Sequence, residues 1–207
     1  MRDARDGTLW ACIGHGHWGP KLHVSSDDMK SFEERTCPAF PEGCEVDSVT
    51  DMGTEKGTAA VKILYTIVPA GPAGHYHIGT DPGAMFTTTD AGVTWKIQES
   101  LWNHRNKDGW FPGGGGVMLH AILVHPEDPQ RMHIGISCAG VYETRDGGVT
   151  WEPRNRGVRA DFLPNKSPVV GQDTHCLRRH RKSHDLLWQQ NHCGNYRSTD
   201  AAGTGRK

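Results

Sequence analysis

Thr144-Arg145-Asp146-Gly147-Gly148-Val149-Thr150-Trp151 is the stretch that decides the fold. A near twin, Thr88-Thr89-Asp90-Ala91-Gly92-Val93-Thr94-Trp95, lies upstream. Both read Thr-x-Asp-x-Gly-Val-Thr-Trp, and the physics of a tight turn explains most of the letters. An aspartate accepts hydrogen bonds from backbone N–H groups a few residues on and closes an Asx-type turn. Gly92 and Gly148 supply a backbone with φ > 0 that a β-branched residue resists. Val-Thr-Trp is β-prone, and Trp95 and Trp151 each carry an indole that buries a large area against a neighbouring sheet. One copy is a turn; two copies are a repeat.

Two weaker copies flank the pair. Ser25-Ser26-Asp27-Asp28-Met29-Lys30-Ser31-Phe32 has Met29 in the glycine place and Phe32 in the tryptophan place. Ser198-Thr199-Asp200 starts a fourth, which dissolves into Ala201-Ala202-Gly203-Thr204-Gly205. Asp27, Asp90, Asp146 and Asp200 recur with a period of about fifty to sixty residues, the length of one four-stranded propeller blade with its loops.

The repeat resembles the Asp-box family, also called BNR repeats, which includes sialidases, sortilin-type receptors, photosystem II assembly factors and xyloglucan hydrolases. All are β-propellers, so the resemblance implies an all-β chain of four-stranded antiparallel blades with the boxes in turns. Val124-His125-Pro126-Glu127-Asp128-Pro129 leading to Gly140-Val141-Tyr142 is similar to bacterial proteins described as sialidase-like or glycosyl hydrolase. The likeness specifies the fold and leaves the function open, because one fold hosts many sites.

Composition agrees with this reading. Twenty-six glycines and twelve prolines in 207 residues suit a turn-rich β protein. A net charge of −1 gives no global field for nucleic acid, and no apolar run is long enough to span a bilayer. Met1-Arg2-Asp3-Ala4-Arg5-Asp6 lacks the apolar core of a signal peptide, so a cytoplasmic location is the default expectation. Cys12, Cys37, Cys44, Cys138, Cys176 and Cys193 show no Cys-x-x-Cys spacing that would mark structural zinc. Scattered reduced thiols are the expected reading; Cys37 and Cys44 share a loop and would suit a disulfide only in an exported protein.

In chain order the pattern predicts one propeller domain with blades over 8–35, 59–99, 117–154 and 173–207. Thr36 to Thr58 reads as a polar connection, Leu101 to Gly116 as a long loop, and the inner strand of the last blade starts at Asp173. About three and a half blades are present. The expectation is therefore a partial chain, or a homodimer that completes the ring, since an unclosed ring leaves strand edges unpaired.

Strand direction sorts residues onto faces. Opposite the boxes fall His15, His17 and Trp18 from the first blade, Asp81 from the second, Ser137 and Cys138 from the third, and Asn191, His192 and Cys193 from the fourth. Interblade loops add Trp102, His104, Trp110 and Gly113–Gly116, while His120 and His175 take matching places at the starts of inner strands. Imidazoles are common metal ligands, which makes His15, His17, His120, His175 and His192 candidates for a divalent metal. Trp102 and Trp110 suit sugar stacking. Each has a structural alternative: His120 and His175 as caps on backbone carbonyls, His15-Gly16-His17 as an exposed turn, the tryptophans as a roof over the core. The basic run Arg178-Arg179-His180-Arg181-Lys182 reads as a solvated turn rather than a nucleic-acid patch.

Sialidase chemistry needs an arginine triad and a tyrosine nucleophile, yet Tyr65, Tyr76, Tyr142 and Tyr196 all fall inside ordinary strand patterns. Asp81 and Asp108 are the candidates for a glycosidase carboxylate pair. The sequence therefore points to a propeller that binds a carbohydrate or protein ligand on the face opposite the boxes. A glycoside hydrolase, or a hydrolase using a histidine-bound metal, is the second expectation.

Overall fold

The computed structural model describes residues 1–50, 53–110, 116–183, 185, 187–200 and 204–206, apart from the side chains at 48–50 and 53–54. Strands β1 (Leu9–Ile13), β2 (Lys21–Ser25) and β3 (Glu33–Arg35) make a first antiparallel sheet. A hairpin of β4 (Glu45–Thr50) and β5 (Gly53–Thr58) follows. The second blade is β6 (Ile63–Pro69), β7 (Tyr76–Asp81), β8 (Met85–Thr88) and β9 (Lys96–Ile97). The third is β10 (Leu119–Val124), β11 (Met132–Ile136), β12 (Gly140–Thr144) and β13 (Glu152–Pro153). The last sheet is β14 (Cys176–Arg179), β15 (Leu187–Asn191) and β16 (Gly194–Ser198). Each sheet is an antiparallel meander whose strands are adjacent in sequence, and the chain is a partial β-propeller.

The turns hold as their letters require. Thr88 Oγ1 donates to Asp90 Oδ1 at 2.7 Å and accepts the Gly92 N–H at 3.0 Å, while the Thr94 N–H reaches Asp90 Oδ1 at 2.9 Å. The Thr144, Asp146 and Thr150 turn repeats these bonds. Even the turn without glycine does so, with Ser25 Oγ to Asp27 Oδ1 at 2.8 Å and Met29 N to Ser25 Oγ at 2.9 Å. Met29 takes φ 71° and Asp28 φ 60°, the left-handed pair that Gly147 and Gly148 fill in the third blade. In the fourth turn, Ser198 Oγ donates to Asp200 Oδ1 and Thr204 N to the same oxygen; 201–203 lie outside the described residues.

The core sits between blades, where inward-facing side chains of adjacent sheets meet. Trp10, Leu22, Ile78 and Phe86 join the first and second blades; Met85, Leu119, Ile134 and Tyr142 join the second and third; Val141, Leu177 and Leu187 join the third and last. Full burial of a side chain of this size stabilises by about 1.5–3 kcal/mol. Blade contact is so close that a Cβ on Gly79 would stand 2.4 Å from the Leu119 carbonyl oxygen. The free edge of β1 is covered by the chain itself: Arg2 bridges Leu9, and Met1 and Trp10 exchange backbone bonds of 2.8 Å.

Three expectations change. The polar connection over Thr36 to Thr58 contains the β4–β5 hairpin, whose Glu, Asp, Lys and Thr residues lack the apolar alternation that marks a strand; ladder bonds, and Val46 against the first core cluster, hold it. The loop after the second blade opens with a short helix α1 (Glu99–Trp102), which turns Leu101 and Trp102 into the core, and contains a 3-10 turn at Lys107–Gly109. Residues 111–115, including Gly113, lie outside the described residues. The inner strand of the last sheet begins at Cys176 rather than Asp173. The six cysteines are free thiols, in line with the expectation of scattered reduced cysteines.

Candidate functional site

On the face opposite the repeated turns, the tight turns between second and third strands of the second blade, the third blade and the last sheet come forward. In the third blade that turn carries Cys138, held at φ 61°. In the last sheet it carries His192, and the Asn191 side chain fixes it by accepting the Cys193 N–H at 2.8 Å and donating to the Arg159 carbonyl at 2.7 Å. Between them runs the approach to β14. Gln172, fully buried, bridges Ala139 and donates to the Val158 and Pro168 carbonyls at 3.0 Å. This anchoring presents Asp173 and His175 beside the two turns.

The result is a group of three. His175 Nε2 and His192 Nε2 stand 3.1 Å apart, His192 Nε2 lies 2.9 Å from Asp173 Oδ2, and His175 Nε2 lies 3.6 Å from it. The Cys138 backbone N–H donates to Asp173 Oδ1 at 3.2 Å, which turns the other oxygen toward the imidazoles. The His175 N–H donates to the Gln190 carbonyl at 2.8 Å. Phe162, half exposed, meets His192 edge-on with centroids 5.1 Å apart. His175 and His192 are open to solvent, and the Asp173 side chain is mostly covered.

The other histidines named from the sequence go elsewhere. His120 occupies a bulge in β10 and its Nε2 meets the Thr174 carbonyl at 2.7 Å, the capping role rather than a ligand's; burial holds its pKa below the usual imidazole value. Tyr65 occupies the corresponding bulge in β6. His15 Nδ1 accepts the N–H groups of His17 and Trp18 at 3.1 and 3.0 Å, so that loop is an exposed, self-capped turn. His104 is buried, with Nε2 on the Trp151 carbonyl at 2.9 Å.

Trp102 and Trp110 do not offer sugar platforms, because both are buried. The ammonium of Lys107 sits 3.1 Å from the centre of the Trp102 ring, and Trp110 Nε1 donates to Tyr142 Oη at 2.7 Å. Aromatic mass in a glycine-rich loop was the signal, but the loop folds back onto the core. Asn191 is likewise a buried scaffold. Asp81 is half-buried, and burial raises its pKa while the charge of Lys62 lowers it.

Asp173 escaped the sequence reading, which placed it within a strand. Its signal was the Asp-x-His spacing of Asp173-Thr174-His175 just ahead of an inner strand.

Away from this face, Arg131, Arg154 and Arg145 converge on the buried Glu143 carboxylate at 3.0, 2.8 and 3.1 Å. The arginines that do cluster are tied to the protein's own Glu143, and Arg131 also to Asp185. Arg179, from the basic run, donates to the Val124 and Leu123 carbonyls and is a scaffold residue. Among the described residues, no helix is long and apolar enough to cross a membrane.

No protein-family model matches the sequence, and no curated protein does. Solved structures match its shape. An ancestral GH74 enzyme superimposes with a TM-score of 0.60 at 10% identity, over 96% of this chain and 22% of that one. The GH74 enzyme of Niastella koreensis gives 0.59 at 17% identity, over 99% and 29%. The GH74 xyloglucanase of Xanthomonas campestris gives 0.52 at 11% identity, over 98% and 36%. The chain spans between about a fifth and a third of these enzymes' lengths, and at such identity the likeness is one of fold.

Proposed function

We propose that this chain is a segment of an Asp-box propeller that binds carbohydrate on the face opposite the repeated turns. The exposed Phe162 ring set against His192, which in turn meets Asp173, is the observation that carries this reading: an apolar face for a sugar ring stands next to hydrogen-bonding groups for its hydroxyls. The Asp-box assignment is supported by one hydroxyl, carboxylate and N–H pattern at four turns. The likeness to the fold of a GH74 xyloglucanase makes xyloglucan oligosaccharides the first ligands to try. Calorimetric titration with a panel of such oligosaccharides should give saturable binding that Phe162→Ala abolishes. Binding that survives Phe162→Ala, or no binding across the panel, overturns the reading.

A glycoside hydrolase is the second reading, and Asp81 is what favours it. Burial raises its pKa, the direction a general acid requires. Hydrolysis of an aryl glycoside panel that disappears in Asp81→Asn would support it; turnover unchanged in that variant would remove Asp81 from the reaction. Sialidase chemistry finds no support, since the clustered arginines are held by Glu143.

A further inference from the structure

We infer that Asp173, His175 and His192 form a divalent-cation site of the two-imidazole, one-carboxylate kind, independent of whether a sugar docks beside it. The three facing atoms make a triangle with sides of 3.1, 2.9 and 3.6 Å. Ligand atoms on a tetrahedral zinc ion with bonds of about 2.0–2.1 Å stand about 3.4 Å apart. Neighbouring ligands on an octahedral ion of similar bond length stand about 3.0 Å apart. The observed sides straddle these values, so one ion above the triangle reaches all three atoms with small side-chain adjustments.

Proton bookkeeping points the same way. Asp173 Oδ2, when ionised, only accepts, and each neutral imidazole carries one N–H. Two N–H groups cannot point at each other across 3.1 Å, so at least one of the facing Nε2 atoms presents a lone pair beside the carboxylate oxygen. A dication takes a lone pair from each at once. The surroundings hold the ligands ready as a metal site's outer shell does. The Cys138 N–H fixes Asp173 Oδ1, the Gln190 carbonyl fixes the His175 backbone, and Phe162 walls one side of His192.

Imidazole with carboxylate suits Zn²⁺ and its first-row neighbours over Ca²⁺ or Mg²⁺. The exposure of both histidines leaves the ion's remaining positions to water or to an oxygen of a bound ligand. Such an ion would work as a Lewis acid or as an anchor for a ligand hydroxyl or carboxylate.

The test uses the full chain, stripped with EDTA, exchanged into chelator-free buffer and titrated with Zn²⁺ by calorimetry, with Co²⁺ as a spectroscopic probe. One ion per chain is expected to bind at this site. His175→Ala, His192→Ala and Asp173→Ala should each weaken it about tenfold or more, and the visible bands of bound Co²⁺ should vanish in His192→Ala. His17→Ala, on the separate exposed turn, should leave affinity unchanged. Circular dichroism in EDTA separates lost ligation from lost fold; if His192→Ala fails to fold, His192→Gln is judged by the same Co²⁺ spectrum. Absence of saturable Zn²⁺ binding, or equal affinity in the His175→Ala/His192→Ala double variant, overturns the inference. A sugar-binding failure with intact Zn²⁺ binding would overturn the carbohydrate reading alone.

Discussion

Asp146 and Asp173 are carboxylates on loops of the same stack of blades, and they use their lone pairs in opposite ways. Asp146 accepts Thr144 Oγ1 and Thr150 N on one oxygen and Thr150 Oγ1 on the other, at 2.7, 2.9 and 2.6 Å. Each of these contacts pairs an acceptor with a donor, and a carboxylate with matching donors recurs at Asp27, Asp90 and Asp200. Asp173 has a backbone donor on Oδ1 and turns Oδ2 toward two imidazole nitrogens that also face each other, at 2.9 and 3.6 Å. The run Gln172-Asp173-Thr174-His175 occurs once. What the chain repeats serves the fold of every blade; what it spends once is where chemistry is available.

The largest expected effect tests the repeated side. Gly148 holds φ 95°, and a Cβ there would stand 2.7 Å from Gln98 Nε2, which donates to the Gly148 carbonyl at 2.6 Å. Gly148→Met combines left-handed strain with the loss of that interblade bond and should cost about 3 kcal/mol, near 10 °C in Tm. The reciprocal change, Met29→Gly, relaxes an exposed methionine at φ 71° and should stabilise by about 1 kcal/mol. Thermal melts of both variants check the pair. If they behave alike, the repeated turn is not the strained element described above.

A smaller effect separates the two aspartates. Asp146→Asn puts an amide N–H₂ or a neutral oxygen where Thr150 Oγ1 and Thr150 N now donate, and should lower Tm by about 2–4 °C with Zn²⁺ affinity unchanged. Asp173→Asn keeps an oxygen for the Cys138 N–H and removes the charge that would hold the ion. Tm in EDTA should hold within about 1 °C while Zn²⁺ affinity falls about tenfold. A single variant that moved both readouts equally would dissolve the distinction.

The fold was legible because its signal is local and repeated. Hydroxyl, aspartate, glycine and tryptophan at fixed spacing specify a turn and the strand after it without reference to the rest of the chain. The β4–β5 hairpin was not legible, since residues such as Asp47, Glu55 and Lys56 carry no apolar alternation and their pairing is decided by ladder bonds. Two of the three clustered residues were legible: strand direction put His175 and His192 on one face. It equally put His15, Trp102 and Trp110 there. Strand direction places a Cα, and only packing decides that Trp110 turns inward to Tyr142 while His192 turns outward to Asp173. Asp173 was hidden by a strand boundary misplaced by three residues, the kind of offset local patterning does not resolve.

The smallest effect is a pH slope. Hydrogen bonds from the Thr150 hydroxyl, its backbone N–H and the Thr144 hydroxyl lower the pKa of Asp146 from 3.8 to about 2, and those from Ser31 and Ser25 do the same for Asp27. A carboxylate whose folded pKa is depressed adds stability that is complete above its unfolded value, near 3.9, and fades as pH falls through the folded value. The window is therefore about pH 4 down to about pH 2. Above it, the Tm difference between the unaltered chain and Asp146→Asn should be constant. Within it, that difference should shrink, because acid converts the unaltered aspartate into a neutral acceptor much like the variant. Melts at steps across that window measure it. A difference that stays constant to pH 2 would mean that the turn is held by its threonine hydroxyls and left-handed glycines alone. The charge on the repeated aspartate would then matter no more to the fold than the charge on Asp173, and the contrast between the two carboxylates would rest on hydrogen-bond geometry only.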